Sequence, residues 1–560
     1  MDVPAVRTVS AHPAPASTDL ADLPDLVGRL ARRAPDAVLI RERTPDGELL
    51  ATTRGELWAR VRGLVVELDE HGIGPDDVVA VWLPNWSDVL VWQCAAAARG
   101  ALVVGINTRY GPEEATHVLA RARPVLVALA HDFHGLDLAG RLRAAVAGSG
   151  VVPQVALVAG PGRSAPGDVT AVDVGAGAWA PHRGDGPEPG PSDPARLAVA
   201  FTTSGSTGLP KLAAHAASGV LAHAVADAAV LGLTEADVVL CALPFSGVYG
   251  YNAATAGLAA GASLLLEPVF DPDDALDDMA TCGVTHVGAG DDLVLRLAQA
   301  HRARPRDLSA WRWWGVADFQ GRSRELAAWL TEEVGTAVTG VYGSSEVFAL
   351  TAAWPPDEPA PARWSGGGRV VHPDVEVRVA DVGTGEVLPP GVEGELEFRG
   401  PNVVDAYVGS DPDVFTADGW FRSGDLGVLV DEGCFVYLCR MGDALRLRGF
   451  LVDPTEIEVR LGAHPAVHTA KVVGVADEDL GPQSDGRGRG ATLAVGFVVL
   501  EPGADDPGDL RAWCAEVLAA FKVPAAVHVL DEMPTTSGTN GTKVRTSVLA
   551  GLAREHFRSS

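Results

Sequence analysis

The stretch RLAVAFTTSGSTGLPKL, residues 196–212, runs from an apolar segment into a turn of glycine, serine and threonine that ends in a lysine. The apolar part reads as a buried strand, and AASGVLAHAVADAAVLGL after it reads as a helix. A loop in that setting sits at the carboxyl end of a parallel sheet, where open α/β folds bind ligands. Residues 25 to 125 carry the same alternation: helical patterns such as TTRGELWARVRGLVVELDEHG separate short apolar runs such as VVAVWLP and ALVVGI. The expected class is therefore α/β, a large domain of parallel-type sheets with helices.

From about 366 to 440 the pattern changes to short strands with Gly and Pro turns, DVEVRVAD, EGELEFRG and CFVYLCRM, which predicts a small β-barrel-like subdomain. Beyond Arg440 come a turn, the helix pattern DPTEIEVRLGA and new strands. We read residues 1–24 as a flexible leader, 25–440 as the large N-terminal domain and 441–560 as a small mobile α+β C-terminal domain.

At 560 residues, 47% hydrophobic and 21% charged, the chain has enough apolar surface for more than one core. A net charge of −29 argues against nucleic acid or an anionic membrane as partner. No run of 18 apolar residues occurs, and the N-terminus lacks the basic and apolar regions of a signal peptide. Six scattered cysteines without metal-ligand spacing fit a reducing, cytoplasmic setting. Oligomeric state is not legible.

Backbone N–H groups of a glycine-rich loop and one ammonium suit phosphate oxygens. The Walker loop is excluded, because it needs glycine before its lysine and Ser or Thr after. Here Pro210 precedes Lys211 and Leu212 follows, so any metal ligand comes from elsewhere. Lysine is scarce: the four are Lys211, Lys471, Lys522 and Lys543, against 40 arginines. A surviving lysine in a glycine-rich segment points to a need for a compact ammonium over a planar fork.

Five segments then stand in one order: TTSGSTGLPK at 202, VYGSSEV at 341, GWFRSGDLG at 419, CRMGDALRLRGFLVDPTEIE at 439 and PTTSGTNGTKVRT at 534. Together they resemble the adenylate-forming family of acyl-CoA synthetases, luciferases and peptide-synthetase adenylation domains. The resemblance implies ATP, Mg2+ and coenzyme A, and a small-molecule carboxylic acid as substrate. It assigns the triphosphate to Thr203, Ser204, Gly205, Ser206, Thr207, Gly208 and Lys211. It assigns the adenine to Tyr342 as its cover and to Gly315, Val316 and Ala317, with Gly343, Ser344 and Ser345 alongside. Glu346 becomes the metal ligand, Asp425 and Arg440 the ribose partners, and Lys543, with Lys211 and Glu346, the catalytic set. Gly442 stands at the hinge and Gly449 in the loop on the CoA side. Asp318 and Phe319 depart from the family's usual Pro-Leu, and the Lys543 segment departs from its usual spacing.

In LPFSGVYGYN, Ser246 and Gly247 replace bulkier residues common in related ligases. We expect them, with Gly340, to open an acyl pocket for an aryl, cyclic or branched acid, walled by Tyr249 and Phe348, with Trp314 as a further candidate wall. The WRWW group at 311 reads as ordinary core. The acyl acceptor stays open between CoA, a separate carrier-protein thiol and an amine, and a non-catalytic nucleotide-binding relative is the remaining alternative.

Overall fold

The computed structural model describes residues 20–559 apart from 165–166, 183, 204–209, 319–321, 411–412, 442–444, 448–449, 453, 477–491, 505, 521 and 539–540. Order begins earlier than the expected leader allows. Asp22 caps the helix Leu23–Arg33 by accepting from the Asp25 N–H, and Leu23, Leu26, Val27 and Leu30 are buried. These contacts make residues 23 and 24 part of the core.

Two large sheets carry the N-terminal domain. In the first, Leu197–Thr202, Leu102–Gly105, Val78–Trp82, Leu126–Ala130 and Gln154–Val158 lie side by side in parallel. In the second, Val238–Cys241 is flanked by Ser263–Leu266 and His286–Gly290, followed by Trp313–Ala317 and Ala337–Tyr342, again parallel. The helices Ala217–Val230 and Val248–Ala260 pack on each other; the former touches the first sheet and the latter the second. Both are apolar nearly all round, as a layer covered on two faces must be.

The glycine-rich turn is not followed directly by a helix. Leu212–Ala216 folds back antiparallel on Leu197–Thr202, with Thr202 opposite Leu212, and the helix starts only at Ala217. The alternating small residues of LAAHA satisfy a fully buried strand as well as a helix start, and sheet pairing decides between them. The glycine-rich segment therefore joins two antiparallel strands, and the helix begins only after the second of them.

The β-rich region expected from 366 is a continuation of the second sheet. Ala337–Tyr342 pairs antiparallel with Ala352–Ala353, and through Gly367–Val370 the ladder reaches Cys434–Arg440, Phe421–Asp431, Glu393–Arg399 and Glu376–Ala380. It keeps a core of its own around Val379, Leu396, Phe398, Phe421 and Phe435. Beyond residue 444, Thr492–Leu500 pairs with Val467–Ala476 and Ala526–Val529 under the helix Pro454–Gly462. The hairpin Thr535–Gly538 and Gly541–Val544 places Lys543 opposite Thr536. No helix among the described residues is long and apolar enough to cross a membrane.

Gly340 owes its identity to this sheet. A Cβ there would stand 1.9 Å from the Ser365 carbonyl oxygen, so the space beside Gly340 is filled by backbone, not left for an acid. Gly340→Ala is expected to cost about 1–3 kcal/mol of stability through forced backbone displacement. Thermal melts without any ligand check this; an unchanged Tm rules out the close approach.

Candidate active site

Where the two sheets meet, four of the sequence-predicted residues converge. Thr203 N–H donates to the Lys211 carbonyl at 2.9 Å, and Lys211 N–H donates to Thr203 Oγ1 at 3.3 Å, pinching the base of the turn shut. His117 Nε2 holds the Pro210 carbonyl at 2.7 Å. Lys211 Nζ lies 5.6 Å from the ring centroid of Tyr407, a cation over an aromatic face. The Tyr407 phenol is pushed up by burial and further by the Glu346 charge. Ser204, Gly205, Ser206, Thr207 and Gly208 lie outside the described residues, as do Gly442 and Gly449.

The segment Tyr342–Glu346 is a tight turn after the strand Ala337–Tyr342. Ser344 Oγ accepts from the Glu346 N–H at 3.2 Å, and the Ser344 carbonyl accepts from the Ala349 N–H at 2.9 Å. A Cβ on Gly343 would meet the Ala349 backbone at 2.5 Å, so glycine is required for the approach. Ser345 Oγ donates to the Thr202 carbonyl at 3.3 Å, tying this turn to the hairpin of the first sheet.

Tyr342 does not present its ring to a ligand. It is 6% exposed and stacked on Phe398 with centroids 5.5 Å apart, and its hydroxyl donates to Asp425 Oδ2 at 2.6 Å. The ring completes the β-rich core, which corrects the expectation that it covers adenine. Asp425 faces Arg440 across an antiparallel pair. Arg440 Nη1 donates to the Ser423 carbonyl at 3.0 Å, and Nε stands 3.1 Å from Asp425 Oδ1 without hydrogen-bond alignment. Burial raises the Asp425 carboxyl above its ordinary value, and the Arg440 charge opposes this. Its Oδ1 is buried with no hydrogen-bond partner among the described residues. A carboxylate accepts only, and with the Arg440 guanidinium beside it this pair has the acceptor and donor chemistry a vicinal diol needs.

A small cavity lies between the helix Val248–Ala260 and the strands His286–Gly290 and Trp313–Ala317, with Tyr249, Asn252, Ala253 and Ala256 on one helical face. The expected acyl walls are only partly met. Tyr249 lines the cavity and donates its hydroxyl to the Gly315 carbonyl at 2.9 Å. Ser246 and Gly247 precede the helix and do not line it; the Ser246 backbone packs against Gly105. Phe348, fully buried among Phe201, His215, His223 and Tyr251, is core. Of the tryptophans, Trp311 and Trp314 are core as expected, but Trp313 is a cavity wall. The spacing 249, 252, 253, 256 is the signal that could have found these positions.

Two buried histidines were not singled out in the sequence. His215 Nε2 meets the Ser345 carbonyl at 2.7 Å, and His223 Nε2 meets the Ala349 carbonyl at 2.8 Å. Phe348, Ala349 and Leu350, centred on the carbonyl that His223 holds, all have positive φ, 58°, 42° and 41°, a left-handed turn that L-residues adopt only under constraint. Both imidazoles are pushed down to about 4 by burial and donate as neutral rings.

The fold and this constellation define an adenylate-forming enzyme. The chain belongs to the AMP-binding enzyme family: the family model matches residues 28–408, and that of the AMP-binding enzyme C-terminal domain matches 456–539. The chain is 32% identical over 533 residues to the 3-[(3aS,4S,7aS)-7a-methyl-1,5-dioxo-octahydro-1H-inden-4-yl]propanoyl:CoA ligase of Mycobacterium tuberculosis, covering 92% of this chain and 96% of the relative. Its fold is similar to ATP-bound MatB from Rhodopseudomonas palustris, with TM-score 0.79 and 26% identity over 96% of this chain and 100% of the other. It is also similar to the amide bond synthetase McbA from Marinactinospora thermotolerans, with TM-score 0.76 and 26% identity over 95% and 99% of the two chains.

The histidines generate a pH prediction. Their folded pKa lies below the unfolded value, so their contribution is complete above about 6.5 and is lost as pH falls toward 4. At 1.36 kcal/mol per unit, each is expected to remove about 3 kcal/mol across that window. His215→Gln keeps an N–H donor without a titrating proton, so its melting temperature should fall less steeply between pH 7 and pH 4.5. A slope equal to that of the unmodified protein would exclude His215 as a contributor.

Proposed function

We propose that this enzyme activates a carboxylic acid with ATP and passes the acyl group to coenzyme A. A carboxylate oxygen of the acid attacks the α-phosphorus, the bond to pyrophosphate breaks, and an acyl-adenylate results. The thiol sulfur then attacks the acyl carbon, the bond to AMP breaks, and the thiol proton leaves to solvent. The observation that carries this reading is the buried Asp425, with one oxygen held by Tyr342 and the other facing the Arg440 guanidinium, within the field of the Glu346 charge.

In this reading Asp425 and Arg440 hold the ribose, and Gly315, Val316 and Ala317 flank the adenine. Lys211 and Thr203, with the turn between them, hold the outer phosphates. Among the described residues no three His, Cys, Asp or Glu side chains converge, so Glu346 supplies one hard oxygen and the phosphates and water complete a magnesium shell. A magnesium ion held there would supply positive charge to offset the phosphates, with Glu346 as its protein ligand. The acid lies against Tyr249 and Trp313, whose rings suit an aryl, cyclic or branched skeleton. Gly442 is the hinge and Gly449 comes to the site for thioester formation. The expectation of a separate C-terminal domain from residue 441 is supported by its own apolar core around Leu447, Ile457, Val472 and Val498.

A second reading, transfer to an amine, is favoured by the fold likeness to an amide bond synthetase. Pyrophosphate release over a panel of acids, with CoA, with amines and with neither, separates the two. Thioester is the expected product; amide formed at the same rate without CoA overturns the acceptor assignment.

Lys543 is proposed to bridge the acid's carboxylate and the α-phosphate. The strand that carries it lies against the helix Asp291–Ala303 of the large domain, which supports a role there in the first half-reaction. Lys543→Ala is expected to slow acyl-adenylate formation about 10²-fold, the scale of one preorganised charge-stabilising donor. Thioester formation from supplied acyl-adenylate should survive, and Lys543→Arg should not rescue the first step, because a planar fork does not replace an ammonium between two anions. Equal slowing of both half-reactions would make the lysine structural.

A further inference from the structure

We infer that the acid this enzyme activates carries a hydroxyl group at the end remote from its carboxylate, and that the buried amide of Asn252 binds it. The inference rests on the adenylation reading above and concerns the cavity lined by Tyr249, Asn252 and Trp313.

The polar groups along that cavity are otherwise engaged. His286 Nδ1 pairs with Thr285 Oγ1 at 2.9 Å and Nε2 with the Leu231 carbonyl at 3.1 Å, while the Tyr249 hydroxyl proton is given to Gly315. Asn252 is 0% exposed; its Nδ2 donates to Asp227 Oδ2 at 2.7 Å, and its Oδ1 has no partner among the described residues. A buried amide oxygen without a partner is a cost to the fold that a ligand can remove. Around it the lining is apolar: Leu231, Val239, Ala253 and Leu350.

The surroundings also select the chemistry of the group. Asp227 is pushed well above its ordinary value by burial, and His223, 3.2 Å from it, is pushed down to about 4. No Lys, Arg, Asp or Glu is among the residues that line the cavity, so a second carboxylate or an ammonium on the acid finds no counter-charge there and stays unpaired in an apolar hole. A hydroxyl donates one hydrogen bond and needs no counter-ion.

Trp313 supplies the way in. A ring atom lies 2.3 Å from where a Cβ on Gly315 would stand, so the indole lies across that glycine, and it is only half-buried. Tyr249 is fixed by its bond to Gly315, which leaves Trp313 as the wall that can turn aside for a ring.

Paired acids of one skeleton test the inference: 4-hydroxycinnamate with cinnamate, 4-hydroxybenzoate with benzoate, and 4-hydroxycyclohexanecarboxylate with its unsubstituted parent. In ATP–pyrophosphate exchange, the hydroxylated member of the best pair should have kcat/KM higher by at least about 10-fold, the scale for a site built around one hydrogen bond. The matching dicarboxylate, terephthalate for the benzoates, should be poorer than either. In Asn252→Leu the hydroxyl preference should collapse, and in Trp313→Ala it should persist while wider rings are accepted. Equal turnover of both members of every pair overturns the inference, since a water then serves Asn252 equally well; so does a preference that survives in Asn252→Leu. If Asn252→Leu does not fold, the acid pairs on the unmodified enzyme still decide. Absence of exchange with every acid while ATP binds removes the adenylation reading itself, and this inference with it.

Discussion

A carboxylate cannot be buried without partners, and Asp425 is 3% exposed. Its two partners come from two other strands of the sheet: Tyr342 ends the last parallel strand, and Arg440 lies opposite Asp425 in an antiparallel pair. The Tyr342 hydroxyl bond can form only when the parallel and antiparallel halves of that sheet are in register. One side-chain contact thus aligns the β-rich region with the rest of the domain, and the second carboxylate oxygen faces Arg440. A site built on such a contact is as rigid as the sheet that carries it.

The turn from Tyr342 to Leu350 depends on a second constraint. Three consecutive left-handed residues are costly, and they persist because His215 and His223 hold the Ser345 and Ala349 carbonyls from the first sheet and the middle helix layer. Burial keeps both rings neutral, which is the state in which one nitrogen donates. Glu346 is thereby placed near Tyr407 and Lys211 by residues that touch neither. Strain in the turn and burial of the histidines are two sides of one arrangement.

Much of the site was legible before the fold was known. Lys211, Glu346, Asp425 and Arg440 each sit in a short segment punctuated by glycine, where backbone geometry restricts the residue type, and those segments kept their order and spacing. Tyr249 was legible for the same reason. Ser246, Gly247, Gly340 and Phe348 were misassigned, because nearness to a motif in the chain does not state which way a side chain faces. The helix begins at Val248, one residue too late for Ser246 and Gly247 to share its cavity face, and Gly340 is pressed by a backbone 25 residues further along the chain.

The sequence by itself determined the class of fold and the family and nominated the charged residues of the candidate site, since these readings follow from hydrophobic period, the order of the glycine-bearing segments and the scarcity of lysine. Only the tertiary structure decided that the glycine-rich segment joins two antiparallel strands, that Tyr342 serves Asp425 through its hydroxyl, and that Trp313 and Asn252 line the cavity while Trp314 and Phe348 are core. The physical reason is common to all of these. Local pattern constrains backbone state and the identity of residues that meet backbone, whereas the partner of a buried side chain is chosen by whichever distant strand or helix covers it.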